Sequence, residues 1–215
     1  SALFEIISDS SLDLPDWMIE SKRIEVVPYL ISFDGGDYLR ERVDISVRDF
    51  YQRMMDHQNV FPKTSMPSVI DYYEAMKKLA EQGKNILCFC MSSKFTSSLQ
   101  SAENAAVMIR EEYPGVEISV VDSKMVTALQ GLYVMEAVKL RDEGKSLQEA
   151  VKHLMEIQGT GAIIFSMGTL EYLIHGGRIG KLKGMLASAL SLKPMVAVKD
   201  GELLPMGVVR SRKGA

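Results

Sequence analysis

Serine, threonine and aspartate residues recur directly after short apolar runs in this sequence of 215 residues. Such runs predict strands, and in an open α/β sheet ligands bind beyond the carboxyl ends of the strands. Hydroxyls and free N–H groups at helix starts donate hydrogen bonds to an oxyanion, and the helix dipole favours negative charge there. The pattern predicts an anion-binding edge, although Ser10, Ser123 and Thr169 taken singly are equally well explained as helix caps. The residues concerned are Asp9, Ser10, Ser11, Ser92, Ser93, Thr96, Ser97, Ser98, Asp122, Ser123, Ser166 and Thr169.

The segment from Pro62 to Ser68 is the most specific of these features. Two prolines restrict its backbone, and Thr64 and Ser65 offer hydroxyls next to a predicted helix N-terminus. A rigid loop with two hydroxyls is suited to holding a carboxylate. A proline-bracketed turn capped by Ser68 explains the same residues equally well.

Conventional catalytic motifs are missing from the sequence. It contains no G-x-S-x-G elbow, no Walker loop and no H-E-x-x-H. Of the three histidines, His57 and His153 fall on predicted helices with charged neighbours, and His175 precedes two glycines. No cluster has the spacing of a zinc site, and Asp9 and Asp122 are too few to specify a magnesium site. The sequence therefore disfavours a metal or nucleotide enzyme and predicts no metal and no cofactor.

Composition places the chain among ordinary soluble globular proteins. It has 47% hydrophobic residues, 25% charged residues and a formal net charge of -3, so nothing indicates a nucleic-acid partner. No apolar stretch approaches the ~20 residues of a membrane span, and no leader is recognisable, so a cytoplasmic location is expected. The fourteen methionines suit a flexible apolar ligand, although core filling explains most of them. Cys88 and Cys90 alternate in one apolar run, which predicts buried thiols on one face of a strand.

Apolar runs rich in Val, Ile and Phe alternate with longer amphipathic segments, which predicts an α/β fold with a mainly parallel sheet flanked by helices. The predicted strands are Leu3 to Ile7, Ile24 to Ile31, Ile86 to Met91, Val116 to Val121 and Ala162 to Met167. The predicted helices are Val47 to His57, Val69 to Gln82, Ser98 to Glu112, Val126 to Glu143 and Leu147 to Gln158.

Helix caps and turns divide these elements. Ser46, Ser68 and Ser146 are each followed three residues later by an acid, the pattern of a helix start. The segment from Met195 to Val209 reads as a β-hairpin around Asp200-Gly201. A change in character between residues 144 and 161 predicts an N-terminal α/β domain at residues 1–150 and the start of a second, lid-like domain at residues 151–215.

The motifs at the predicted junctions resemble, in order and over nearly the whole chain, those of the DegV family. Individually they are weak, but jointly they are hard to obtain by chance. They are Ser8-Asp9-Ser10-Ser11 with Leu14-Pro15, Val43-Asp44-Ile45, Pro62-Lys63-Thr64-Ser65 with Pro67-Ser68, Ser92-Ser93 with Gln100-Ser101-Ala102, Val121-Asp122-Ser123, Thr169-Leu170-Glu171-Tyr172-Leu173 with Gly176-Gly177-Arg178-Ile179-Gly180, and Asp200-Gly201-Glu202 with Val209-Arg210.

The resemblance implies a two-domain α/β protein with a long-chain fatty acid buried between its domains. The carboxylate would be held by hydroxyls that fall on Thr64 and Ser93 here, with Ser65 and Ser92 as neighbours. Some members are similar to the binding subunit of bacterial fatty acid kinase, in which the acid is presented to an ATP-dependent partner and becomes an acyl phosphate. Such a protein has no catalytic residues of its own.

Basic residues late in the chain are candidates for docking such a partner. The turn Gly176-Gly177-Arg178-Ile179-Gly180 can project the guanidinium of Arg178 outward, and nearby lysines extend the positive charge. Without the resemblance, a solvated turn that only aids solubility would be favoured. The docking candidates are Arg178, Lys181 and Arg210.

The chain departs from the family pattern at several positions. Ser97-Ser98 stand where the family usually has glycine then threonine, and Gly168, His175 and Gly214 replace a usual aspartate, lysine and lysine. The family also normally continues beyond Ala215, so we expect either a truncated form or a partial second domain with a more open tunnel.

Two other classes of function remain open from the sequence. One is an enzyme acting on an acyl or phosphate-bearing substrate, with Ser93 as nucleophile helped by Asp122 or His175. The other is a protein-interaction module whose late basic segment docks a partner and whose pocket is empty.

Overall fold

The computed structural model of the chain describes residues 2–12, 14–57, 62–91, 96–123, 128–159, 163–166, 192–199 and 202–210. Within these ranges the elements are β1 (Glu5–Asp9), α1 (Asp16–Ser21), β2 (Ile24–Val27), β3 (Leu30–Ser32), β4 (Leu39–Arg40), α2 (Val47–Asp56), β5 (Lys63–Ser65), α3 (Val69–Ala80), β6 (Ile86–Cys90), α4 (Ser98–Glu112), β7 (Ile118–Asp122), α5 (Ala128–Asp142), α6 (Leu147–Gly159), β8 (Ile163–Ser166), β9 (Leu192–Lys199) and β10 (Glu202–Arg210).

A parallel four-stranded sheet in the order β2-β1-β6-β7 forms the centre of the described chain. Its register pairs Ser8 of β1 with Phe89 of β6, and Cys90 of β6 with Asp122 of β7. Because the strands run in one direction, their carboxyl ends meet at one edge. The chain at the ends of β1, β6 and β7, represented by Asp9, Met91 and Ser123, therefore converges at this edge. The α/β prediction is confirmed.

Helices cover both faces of this sheet, and the residues of β6 alternate between them. Leu87 and Phe89 are buried in a core that α5 and α6 complete. Cys88 and Cys90 point to the other face, where α3 and α4 complete a second core. All four residues are fully buried, because a strand in the middle of a parallel sheet is covered on both sides. The two thiols are free, which confirms the prediction for Cys88 and Cys90.

The predicted helix starts are confirmed in detail. Ser68 Oγ accepts from the Asp71 backbone N–H at 3.1 Å, and Asp71 Oδ2 accepts from the Ser68 N–H at 2.9 Å. Ser146 and Glu149 make the same reciprocal pair at 3.1 and 2.8 Å. Ser46 caps α2 by accepting from the backbone N–H three residues on. These three helices begin at the predicted residues Val47, Val69 and Leu147.

The strand predicted from Ile24 to Ile31 is wrong as a single element. The chain forms β2, breaks at Pro28, and continues as β3 in a different sheet, of order β4-β3-β5. Proline has no backbone N–H, so Pro28 cannot donate to the ladder between β2 and β1. The next N–H, of Tyr29, donates instead to Ser10 Oγ at 2.9 Å. The break therefore sends the chain out of the parallel sheet beside the end of β1.

Further differences concern the first strand and three elements that were not predicted. The first strand is Glu5–Asp9, two residues later than predicted, because its pairing with β2 extends to Asp9 and Val27. Strand β5 was not predicted, since its three residues are exposed and show no apolar alternation. It pairs antiparallel with β3, which places Thr64 opposite Ile31. Helix α1 and strand β4 were also missed.

The late strands form a separate antiparallel sheet of order β10-β9-β8. Strands β9 and β10 confirm the predicted hairpin, while its turn residues Asp200 and Gly201 lie outside the described ranges. Helix α6 runs without interruption across residue 150, and its Ala150 and Leu154 are buried in the core beside α5. The division into two domains near that residue stays a prediction. None of the described helices is long and apolar enough to cross a membrane.

Candidate functional site

Asp9, the last residue of β1, lies at the centre of the strand-end edge and is fully buried. Its carboxylate accepts hydrogen bonds from the Met91 N–H at 2.6 Å, from Gln130 Nε2 at 2.9 Å and from the Ser11 N–H at 3.1 Å. The Ser11 hydroxyl donates a fourth. Burial raises the pKa of Asp9, and these hydrogen bonds oppose the rise only in part. All of these donors come from the protein itself, so the carboxylate holds chain segments together.

Gln130 connects Asp9 to the end of the neighbouring strands. Its Nε2 also donates to Ser8 Oγ at 3.1 Å, while its Oε1 lies 3.0 Å from Ser11 Oγ and 3.1 Å from Ser123 Oγ. Ser123, just after β7, has its hydroxyl 2.8 Å from the carbonyl oxygen of Cys90 at the end of β6. We call this group the strand-end network. Its members are Ser8, Asp9, Ser11, Ser123 and Gln130.

Sequence reasoning missed Gln130, and the signal that marks it is weak. It is a fully buried amide near the start of α5, a helix whose buried positions are otherwise largely apolar. A buried polar group must be hydrogen-bonded, so a glutamine on an apolar helix face indicates a partner in the sheet beneath it. Only the fold identifies that partner as Asp9.

Ser10, a predicted pocket residue, ties the small antiparallel sheet to β1. Its hydroxyl donates to Glu41 Oε2 at 2.6 Å and accepts from the Tyr29 N–H. The residue is buried, and its hydroxyl is engaged both as donor and as acceptor. Ser10 is therefore neither a helix cap nor a free donor, and its partner Glu41 was not anticipated from the sequence.

Thr96 contacts both Tyr29 and Met66, and Met66 belongs to the segment from Pro62 to Ser68 that the sequence singled out. The buried Tyr29 donates from its hydroxyl to Thr96 Oγ1 at 3.4 Å. Thr96 Oγ1 also accepts from the Ser98 N–H at 3.3 Å and lies 3.8 Å from Met66 Sδ. Burial, and secondarily the negative charge of Asp9, raises the pKa of Tyr29 to about 12. The phenol is thus neutral and available as a donor at any physiological pH.

Thr64 and Ser65 lie on β5, immediately before Met66. Their backbones pair with Ile31 and Leu30, which fixes them at the edge. Both side chains are exposed, and neither hydroxyl has a hydrogen bond to another residue in the described parts of the chain. They are hydroxyls at this edge with donor capacity to spare.

Of the remaining predicted site residues, one lies in the described parts of the chain. Arg210 is the last residue of β10, where its backbone pairs with Leu192. The others lie outside the described residues: Ser92, Ser93, Thr169, Arg178, Lys181 and His175. Among the described residues no group of three His, Cys, Asp or Glu side chains could hold a metal ion.

Fold and edge together define an open α/β protein whose parallel strands end in a layer of neutral hydroxyl and amide groups around one buried carboxylate. A family model described as "Uncharacterised protein, DegV family" matches residues 3–215, and the chain belongs to the DegV family. A DegV domain-containing protein of Clostridium acetobutylicum is 34% identical over 211 residues, which are 98% of this chain and 74% of that protein.

Solved structures agree with this assignment. A protein of Eubacterium ventriosum described as binding stearic acid superposes with a TM-score of 0.73 at 38% identity, over 98% of this chain and 72% of its own. A DegV family protein of Thermus thermophilus described for its fatty acid binding gives a TM-score of 0.66 at 31% identity, over 98% and 72%. The family resemblance inferred from the motifs is confirmed.

The raised pKa of Tyr29 gives a test of this geometry. Its folded-state pKa of about 12 exceeds the ordinary value of 10.0, so the phenol stabilises the fold below pH 10 and this contribution is lost as the pH rises through 12. The difference in free energy of unfolding between wild type and Tyr29→Phe should therefore be constant below pH 10. Above pH 10 the wild type should become less stable relative to the variant. Urea unfolding at a series of pH values measures it, with the exposed Tyr38→Phe as control. A Tyr29 phenol that titrates near pH 10 in the difference spectrum would contradict the described burial.

Proposed function

We propose that this protein binds a long-chain fatty acid and holds its carboxylate by hydrogen bonds from Thr64 and Ser93, with Ser65 and Ser92 beside them. The acyl chain would lie in an apolar tunnel between the domain that extends to about residue 150 and the residues that follow it. The protein itself would position the acid without transforming it.

The observation that carries the proposal is the 3.8 Å contact between Met66 Sδ and Thr96 Oγ1. Thr64 lies two residues before Met66, and its exposed hydroxyl has no hydrogen bond to another residue in the described parts of the chain. In the sequence, Ser93 belongs to the same connection after β6 as Thr96. A carboxylate has two acceptor oxygens, and donors from two converging segments can satisfy both. Because this contact joins residues 30 positions apart, hydroxyls from distant parts of the sequence can serve one site.

Ser93 has anchored neighbours on either side along the chain. Two residues before it, the Met91 N–H donates to Asp9 at 2.6 Å. Three residues after it, Thr96 accepts from Tyr29 at 3.4 Å. We therefore assign to the carboxylate the two serines that fall between these anchored residues in the sequence.

The described ligands of the relatives support the chemical class. Stearic acid is a saturated long-chain acid, and the Thermus protein is described as binding a fatty acid. Both relatives exceed 30% identity over almost all of this chain, so we extend the ligand class to it. The edge fits this class because neutral hydroxyl and amide donors suit a carboxylate, and the buried Asp9 is itself hydrogen-bonded by residues of the protein.

Chain-length dependence tests the ligand. Each buried CH₂ contributes roughly 0.8 kcal/mol, so two added methylenes should tighten binding by up to about fifteenfold until the tunnel is full. Displacement of a fluorescent fatty acid by acids of increasing length measures this, and extraction of the purified protein with organic solvent identifies any bound lipid. Butyrate that competes as well as palmitate would contradict an apolar tunnel. An empty protein whose melting temperature is unaffected by fatty acid would instead support the interaction-module alternative.

Removal of the head-group donors tests the site. Thr64→Ala and Ser93→Ala should each weaken fatty acid binding by about 1–3 kcal/mol, since each leaves an acceptor of the ligand unsatisfied. Titration calorimetry on the single and double variants measures the loss, with the exposed Ser21→Ala as a matched control. Wild-type affinity in the double variant would eliminate this assignment. A persistent covalent adduct on Ser93 in denaturing mass spectrometry would favour the enzyme alternative, in which that serine is a nucleophile.

The proposal extends to an ATP-dependent kinase partner that phosphorylates the presented carboxylate. Arg178, Lys181 and Arg210 are the residues we assign to docking that partner, because a positive patch steers an acidic or phosphate-bearing partner towards the carboxylate. Arg178→Ala should leave lipid content nearly unchanged yet reduce acyl phosphate formation with a cognate kinase and ATP, and added salt should reduce the wild-type rate in the same way. Purification of this variant without lipid would move Arg178 to the head-group site instead.

A further inference from the structure

We infer that Thr96 is a further binding residue for the carboxylate of the ligand, and that Tyr29 is a positioning residue that leaves the Thr96 hydroxyl proton for that carboxylate. This inference rests on the proposed function and adds a donor to its site. While no ligand is bound, Met66 would take the place of the carboxylate.

The contacts of Thr96 Oγ1 decide which way its own proton is used. Within the described parts of the chain, it accepts from the Ser98 N–H at 3.3 Å and from the Tyr29 hydroxyl at 3.4 Å. Its third contact, Met66 Sδ at 3.8 Å, carries no proton and can only accept. A hydroxyl has two lone pairs and one proton. The two donors therefore use the lone pairs, and the proton remains for the acceptor on the Met66 side.

Tyr29 keeps this arrangement of protons fixed. Its side chain is buried, and burial raises the pKa of its phenol to about 12, so the hydroxyl keeps its proton and stays a donor. Its backbone N–H donates to Ser10 Oγ at 2.9 Å, which anchors the residue beside the end of β1. Ser98 is buried at the start of α4. Both donors thus belong to fixed parts of the fold, while Thr96 between them is half-buried.

Met66 is a poor partner for the remaining proton. A thioether is a weak acceptor, and its contact with Thr96 Oγ1 is 3.8 Å long. The Met66 side chain is 39% exposed and flexible, so it has room to move aside. Hydrogen bonds to an ionised acceptor are about twice as strong as those between neutral groups. A carboxylate at this place would therefore replace the thioether as the acceptor of the Thr96 proton.

The same place is within reach of Thr64. Alternate residues of an extended chain share one side, and Met66 precedes Pro67, which favours an extended backbone at Met66. Thr64 and Met66 are then neighbours on one side of this segment, with Cα atoms about 7 Å apart. The exposed hydroxyl of Thr64 and the proton of Thr96 would each serve one oxygen of the carboxylate, which has acceptor capacity left for further donors.

The test compares stearic acid with the fatty alcohol of the same chain length, whose head group is neutral. Thr96→Val keeps the shape of the side chain but removes the hydroxyl. We expect it to bind the acid at least about tenfold more weakly than wild type and the alcohol within about threefold. Thr96→Ser retains a hydroxyl and should bind the acid within about threefold of wild type. Displacement of a fluorescent fatty acid measures each affinity, and circular dichroism checks the fold.

A double-mutant cycle tests the positioning role of Tyr29. Tyr29→Phe should weaken binding of the acid by about three- to tenfold and leave binding of the alcohol nearly unchanged. In the Thr96→Val background it should cause no further loss for the acid, because Tyr29 acts through Thr96. The exposed Tyr38→Phe is the matched control and should change neither affinity.

Equal losses for acid and alcohol in Thr96→Val, or an unchanged affinity for the acid, would overturn the inference. A loss in Tyr29→Phe that persists undiminished in the Thr96→Val background would overturn it as well. If Thr96→Val does not fold, Tyr29→Phe alone decides, and the absence of a selective loss for the acid counts against the inference. Weaker acid binding in Thr64→Ala beside an unaffected Thr96→Val would leave the proposed function intact and remove only Thr96 from its site. A wild type that binds neither ligand would refute the proposed function itself.

Discussion

The hydrogen bond from the Met91 N–H to Asp9 joins the carboxyl end of β6 to that of β1, and much of the edge is built around it. Parallel pairing brings the ends of these strands together but leaves the first peptide groups beyond the ladder without partners. Water would normally satisfy them at an open edge. Here a buried carboxylate does so, which requires further donors around it, and Ser11 and Gln130 provide them. Helix α5, which packs its apolar residues into the core beside the sheet, carries Gln130 to this carboxylate.

Pro28 adds a second constraint, because it ends the pairing of β2 and redirects the chain. The small antiparallel sheet that follows lies beside the parallel one and is tied to it by Ser10, which bonds to both Tyr29 and Glu41. Strand β5 then carries Thr64 and Ser65 to the edge as part of a ladder. An exposed hydroxyl on a paired strand is held more firmly than one on a free loop, which is an advantage for a binding site.

The charge pattern of this edge has a consequence for the proposed function. Its described donors are hydroxyls and amides, and its one buried acid, Asp9, accepts its hydrogen bonds from the protein itself. Neutral donors each contribute less to binding an anion than a charged partner would. Most of the affinity for a fatty acid would then come from its apolar chain, and the head group would mainly set orientation. Such an arrangement suits a protein that must release or hand over its ligand.

The sequence by itself determined the layers, the helix starts and the family, because these depend on local signals. Period-two alternation placed Cys88 and Cys90 on one face of a strand. Reciprocal side-chain caps marked the first residues of α3 and α6, and turn residues predicted the late hairpin. It also placed the hydroxyls at the strand-end edge, since the carboxyl ends of parallel strands must coincide. It did not reveal which hydroxyls are free.

Ser10 and Ser123 look like Thr64 in the sequence, yet they are buried and engaged while Thr64 is exposed. That difference arises from contacts between residues far apart in the chain, such as Ser10 with Glu41 and Gln130 with Asp9. Strand β5 escaped prediction for the same reason, since three exposed polar residues become a strand only when β3 offers them a partner. Tertiary structure decided which of these polar groups are buried in hydrogen bonds within the protein and which stay exposed, because a donor is engaged only once its acceptor has been brought within reach.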